Sequence, residues 1–98
     1  MEVVVRNIHN ATKALKDLSE RIEAIRLARS KVVNVRLSAV ALQALEIGSG
    51  KNLKEFLGIP VTIDESHTNN IVVLLVDHKY YWNIKEEFFT LNKYFEYV

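Results

Sequence analysis

From Asn7 to Arg29 the apolar residues Ile8, Ala11, Leu15, Leu18, Ile22 and Ile25 recur at alternating spacings of three and four. That period lines one face of a helix, so the spacing predicts an amphipathic helix of about six turns. On its polar side, Lys16 with Glu20 and Asp17 with Arg21 place opposite charges four residues apart. Each such pair adds about 0.2–0.5 kcal/mol. Asn7 or Asn10 is placed to cap the start. The same spacing is also an a/d seam about three heptads long, the repeat of a coiled coil. The stripe therefore has two uses: covering a sheet of its own chain, or pairing with the helix of a second copy.

Elsewhere the pattern turns to alternation. "EVVVR" is a short β-branched run that reads as a first strand. "KVVNVRL" sets Val33, Val35 and Leu37 against Asn34 and Arg36, the period of a half-buried strand. Ser38 then caps a short helix, "AVALQALEI", which stops at Gly48-Ser49-Gly50. "KNLKEFLG" fits either one helical turn capped by Asn52 or an ordered loop. Ile59 to Asp64 alternates as a strand. Gly58 brings backbone freedom just before it, and Pro60 belongs at its first residues or on an edge.

"ESHTNN" is a polar turn, and "IVVLLV", Ile71 to Val76, is apolar on both faces, as an interior strand is. Asp77-His78 reads as a tight turn from which "YYWNI" pairs back. Asn83 with Glu86 resembles a capping box, and Ile84, Phe88, Leu91, Phe95 and Val98 follow at helical spacing. The prediction is a single α+β domain over residues 1–98. A long N-terminal amphipathic helix, a short middle helix and a C-terminal helix pack on a mostly antiparallel sheet of about four strands.

Composition narrows the function. Hydrophobic residues make up 49% and charged residues 26% of 98, a balance that supports one modest core and argues against disorder. Thirteen basic and 12 acidic side chains leave a formal charge of +1, too weak a field to steer the chain to nucleic acid or an anionic membrane. The absence of cysteine excludes disulfides, thiolate zinc sites and cysteine nucleophiles, and suits a reducing compartment. "MEVVVRN" meets charge too early for a signal peptide, and "IVVLLV" falls far short of the ~18 apolar residues of a membrane span. A soluble cytoplasmic protein is expected.

Candidate chemistry is sparse. His9, His67 and His78 form no i,i+4 pair or other metal-ligand spacing. Asp64, Glu65 and His67 are the residues of a polar turn, and Asp77 and His78, adjacent on a strand end, point to opposite sides. "GSG" before Lys51 follows a helix, where phosphate loops follow a strand. A helix-turn-helix over Leu37 to Pro60 would offer DNA Lys51 and Lys54 against Glu55, and Gly58 and Pro60 would cut its second helix short. No catalytic residue, cofactor or metal is therefore assigned.

Aromatic residues are unevenly spread. Eight of them lie between Tyr80 and Tyr97, more than one strand face and one helix face can bury. The surplus suits a protein interface, where Tyr and Trp are hot spots. The expected function is a non-enzymatic, self-associating interaction or structural module, a homodimer or higher oligomer. Its candidate surfaces are the seam Leu15, Leu18, Ile22 and Ile25 and the cluster Tyr80, Tyr81, Trp82, Tyr94 and Tyr97. The alternative is a nucleic-acid-binding accessory protein that stacks single-stranded bases on Lys79, Tyr80, Tyr81 and Trp82. Glu86, Glu87 and Glu96 would repel the phosphates there. A small enzyme with a site between subunits is a third class.

The order Leu57-Gly58-Ile59-Pro60-Val61, strand, polar turn, apolar strand, Asp77, aromatics resembles the late part of the tailed-phage major capsid protein and encapsulin family. The preceding "VRLSAVALQALEIGSGK" is similar to the strand, serine-capped helix and glycine-bearing turn found there. The resemblance covers about Val33 to Trp82. The chain is far shorter than a complete shell protein, and Val76 stands where a glycine often precedes the aspartate. The resemblance implies a virus-encoded or virus-derived small protein with a structural or assembly role. The matching positions are architectural and carry no functional residues across.

Overall fold

The stripe of three-and-four spacing forms a 20-residue helix, α1 (Ile8–Leu27), in a computed structural model that describes residues 3–4, 8–78 and 83–97. A two-residue strand β1 (Val3–Val4) precedes it, and β2 (Ser30–Leu37), α2 (Ala39–Ser49), β3 (Glu55–Phe56), β4 (Ile59–Ile63), β5 (Ile71–His78), β6 (Asn83–Thr90) and β7 (Glu96–Tyr97) follow. Five strands make one sheet in the order β3-β4-β2-β5-β6, and β1 pairs with β7 separately. The sheet is mixed: β2 and β4 run parallel, joined across α2, and the other neighbours are antiparallel. The fold is α+β, with two helices among the described residues and five strands in the main sheet.

Both helices cover the same sheet face. Leu15, Leu18, Ile22 and Ile25 are buried against it, in one core with Val35, Leu37, Val72, Leu74 and Val76. This corrects one expected surface: the seam is interior to its own chain and is not exposed for a second copy. Ala11, Ala14, Ala41 and Ala44 are buried in the same core, small side chains that let α1 and α2 lie close together. Asn10 does not cap α1, which already begins at Ile8; its side-chain amide donates to the Tyr94 carbonyl at 3.0 Å. Asn7 lies outside the described residues. No helix among those described is long and apolar enough to cross a membrane.

Caps and turns set the middle of the chain. Ser38, extended at φ −67° and ψ 158°, accepts the Ala41 N–H at 3.1 Å and starts α2. Gly50, at φ 70°, ends it and donates to the Glu46 carbonyl. Leu57 and Gly58 both have positive φ, 55° and 77°, and form the two-residue loop of a hairpin in which Phe56 opposes Ile59. "KNLKEFLG" is thus a loop running into β3. Pro60 is the second residue of β4.

Two readings of the pattern shift. In β2 the register with β5 slips between Val32 and Asn34, so Val33 is a bulge. Val32 therefore joins Val35 and Leu37 on the buried face, where simple alternation had placed Val33. Towards the C-terminus, the expected helix from Asn83 is an eight-residue strand paired along β5, and β5 itself continues through Asp77 and His78 where a turn was expected. After β6 a turn brings Leu91, Tyr94 and Phe95 into the core.

Candidate interaction surface

The register fixes what lies on the sheet face opposite the helices. Val72, Leu74 and Val76 of β5 join the core, so Ile71, Val73, Leu75 and Asp77 point the other way. Thr62, Arg36, Val73 and Phe88 form one cross-strand row over four strands. Leu75 opposes Asn34 and Glu86, and Asp77 opposes Lys31 and Ile84. No helix among the described residues covers this face.

Its two halves differ. On β2 and β4 a polar network closes on itself: Asn34 donates to the Pro60 carbonyl at 2.9 Å and to Thr62 Oγ1 at 3.0 Å, and accepts from Arg36 Nε at 2.7 Å. The amide's donors and acceptor are all engaged, which fixes it as a brace between the parallel strands. In the following turn, Asp64 accepts from the Ser66 hydroxyl and backbone N–H. Those bonds, with smaller help from His67 and Arg36, hold its carboxyl below the usual range. Glu65 accepts the Ala39 N–H at 2.8 Å and supplements the α2 cap. The acidic turn is thus engaged in local structure.

The half on β5 and β6 carries Ile71, Val73, Leu75, Ile84 and Phe88, interrupted by Asp77, Glu86 and Thr90. Val73 is only 2% exposed although no helix covers it, because Arg36 and Phe88 flank it in its row. The His67 ring meets Phe88 edge-on at 5.5 Å. Phe88 is nevertheless 52% exposed and Ile84 58%, both on β6, the last strand of the sheet. The outer side of β6 has no paired strand among the described residues. An edge of this kind presents a row of backbone N–H and C=O groups that a further strand can take up.

The expected aromatic cluster divides. Tyr94 is buried and donates its hydroxyl to Asp17, with Phe89 stacked on its ring at 6.2 Å. This corrects its assignment to a surface, because the turn after β6 carries it into the core. Tyr97 belongs to β7, and its side chain is outside the described set; Lys79, Tyr80, Tyr81 and Trp82 lie wholly outside it. Ile84 and Phe88, the exposed pair, were missed as surface residues. A spacing of four satisfies a helix face and a strand face alike, and the capping pattern ahead of it favours the helix.

For catalysis the described residues offer little. No three His, Asp or Glu side chains among them are grouped to hold a metal ion. The Ser30 hydroxyl and His78 Nδ1 are 3.0 Å apart as a cross-strand pair, with Asp77 on the opposite face beside Lys31. What the face offers is a half-apolar surface bounded by a strand edge with no partner among the described residues. No family model, curated protein or solved structure matches the chain.

Proposed function

We propose that this protein is a non-enzymatic interaction module that self-associates through the uncovered sheet face and its β6 edge. The observation that carries the reading is the exposure of Ile84 and Phe88 on the terminal strand, beside Val73 and Leu75. An apolar patch at an open strand edge is a site for another chain, because water gains little from it and association removes it from contact with water. A cytoplasmic setting fits a chain without cysteine. A virus-encoded accessory or assembly role is supported by the resemblance of Val33 to Trp82 to the capsid and encapsulin family.

Light scattering across a concentration series tests the reading. A mass rising from the 11.3 kDa of one chain towards twice that value supports it, and a constant 11.3 kDa overturns it. Adding a single-stranded oligonucleotide at low and high salt tests the alternative on the same samples. Quenching of Trp82 fluorescence at low salt, with no self-association, would put nucleic acid in place of a second copy.

A further inference from the structure

Resting on that self-association, we infer that β6 pairs antiparallel with β6 of a second copy in one register, centred on Glu86. A two-fold axis perpendicular to the sheet makes two copies of an edge strand run antiparallel, and it keeps both helix layers on one side. Opposed residues of an antiparallel pair share a face, so the axis must pass through a residue that faces its own copy. On β6 the residues Ile84, Glu86 and Phe88 lie on the uncovered face, and Lys85, Glu87 and Phe89 on the helix side.

Only a few centres remain, and side-chain chemistry separates them. An axis at Lys85 opposes two ammonium groups and sets Ile84 against Glu86. At Glu87 it opposes two carboxylates and sets Phe88 against Glu86 and Phe89 against Lys85. Axes nearer either end shorten the paired stretch. At Glu86 the axis opposes Ile84 to Phe88 of the second copy, twice, and Lys85 to Glu87, twice. The two most exposed apolar side chains of the strand then cover each other, and opposite charges meet on the helix side. Glu87, which already faces Arg21 at 3.4 Å, gains a second cation. The unfavourable contacts are Glu86 with itself and, towards the ends of the paired stretch, Asn83 with Phe89. Two five-stranded sheets become one continuous sheet.

Because the chain has no cysteine, single-cysteine variants read the register without background. Glu86 is exposed, so Glu86→Cys leaves the core intact. Under mild oxidation Glu86→Cys is expected to link into a dimer, since opposed Cβ atoms lie ~4.5–5.5 Å apart, close to disulfide geometry. Lys85→Cys and Glu87→Cys are each expected to link poorly alone and readily when mixed. Glu86→Gln, by removing the like charges at the axis, is expected to tighten the dimer about two- to fivefold. If the wild type is dimeric but Glu86→Cys links no faster than Lys85→Cys, and Glu86→Gln leaves affinity unchanged, this register is overturned while self-association stands. A wild type that stays monomeric at every concentration overturns both.

Discussion

Among the described residues, Leu57 and Arg29 are the non-glycine residues that hold positive φ, and Leu57 does so inside a tight hairpin loop. Its φ of 55° places a branched residue in the left-handed region, at the first position of a two-residue hairpin loop. The side chain is 62% exposed and contributes little to the core. Asparagine is at ease in that conformation and forms with Gly58 the favoured Asn-Gly loop. Leu57→Asn is therefore expected to raise stability by about 0.5–1 kcal/mol in urea unfolding. An unchanged or lower midpoint would mean that the Leu57 side chain contributes packing that outweighs the strain. Tyr94 gives a pH test. Burial first, then the bond to Asp17, then the charges of Asp17 and Glu20, push its phenol from 10.0 up to about 12. The fold thus holds this proton more tightly than the unfolded chain does. The stabilisation is complete below about pH 10 and is lost as pH rises through about 12. Comparing unfolding midpoints at about pH 8 and about pH 11, wild type should lose more stability than Tyr94→Phe. An equal loss in both would remove Tyr94 from the alkaline transition.

Individual elements differ in how far local pattern determined them. α1 was legible because its apolar stripe is long enough for the helical period to be the sole fit, and because that stripe is the surface it buries. Leu18 is at its middle and 3% exposed, so Leu18→Ala should cost about 2–5 kcal/mol in denaturant unfolding. A cost under about 1 kcal/mol would mean the stripe is less tightly packed than an interior position. α2 was legible from Ser38 and the glycines at its end, residues whose capping chemistry is local. The bulge at Val33 was not, since an extra residue in β2 shows only when β5 is laid beside it. β6 was misread for a related reason. Asn83 with Glu86 imitates a capping box, and Ile84, Phe88 and Leu91 fit a helix. What overrides them is the exposed edge of β5, an apolar strand that needs hydrogen-bond partners along its length.

At the scale of the whole molecule, placing both helices on one sheet face is the consequential choice. It makes the a/d seam interior and leaves Ile84 and Phe88 exposed together on the opposite face at the β6 edge, whereas the other exposed apolar residues, Leu27, Ile47, Leu57 and Ile63, are spread over separate elements. The candidate surface was therefore hardly legible in the sequence. The seam was visible but belongs to the core, the exposed pair was hidden by a spacing that suits two structures, and the aromatic stretch Tyr80 to Trp82 lies outside the described residues. In the proposed assembly, copies associate through β6 and not through α1. Sedimentation of Ile84→Lys beside the wild type separates the two surfaces, because Ile84 is exposed and its loss should leave unfolding almost unchanged. The expected result is a wild type that dimerises with concentration and a variant, equally stable, whose association is weaker by about tenfold or more. A wild type that remains at 11.3 kDa, or a variant that dimerises as strongly as the wild type, would contradict it.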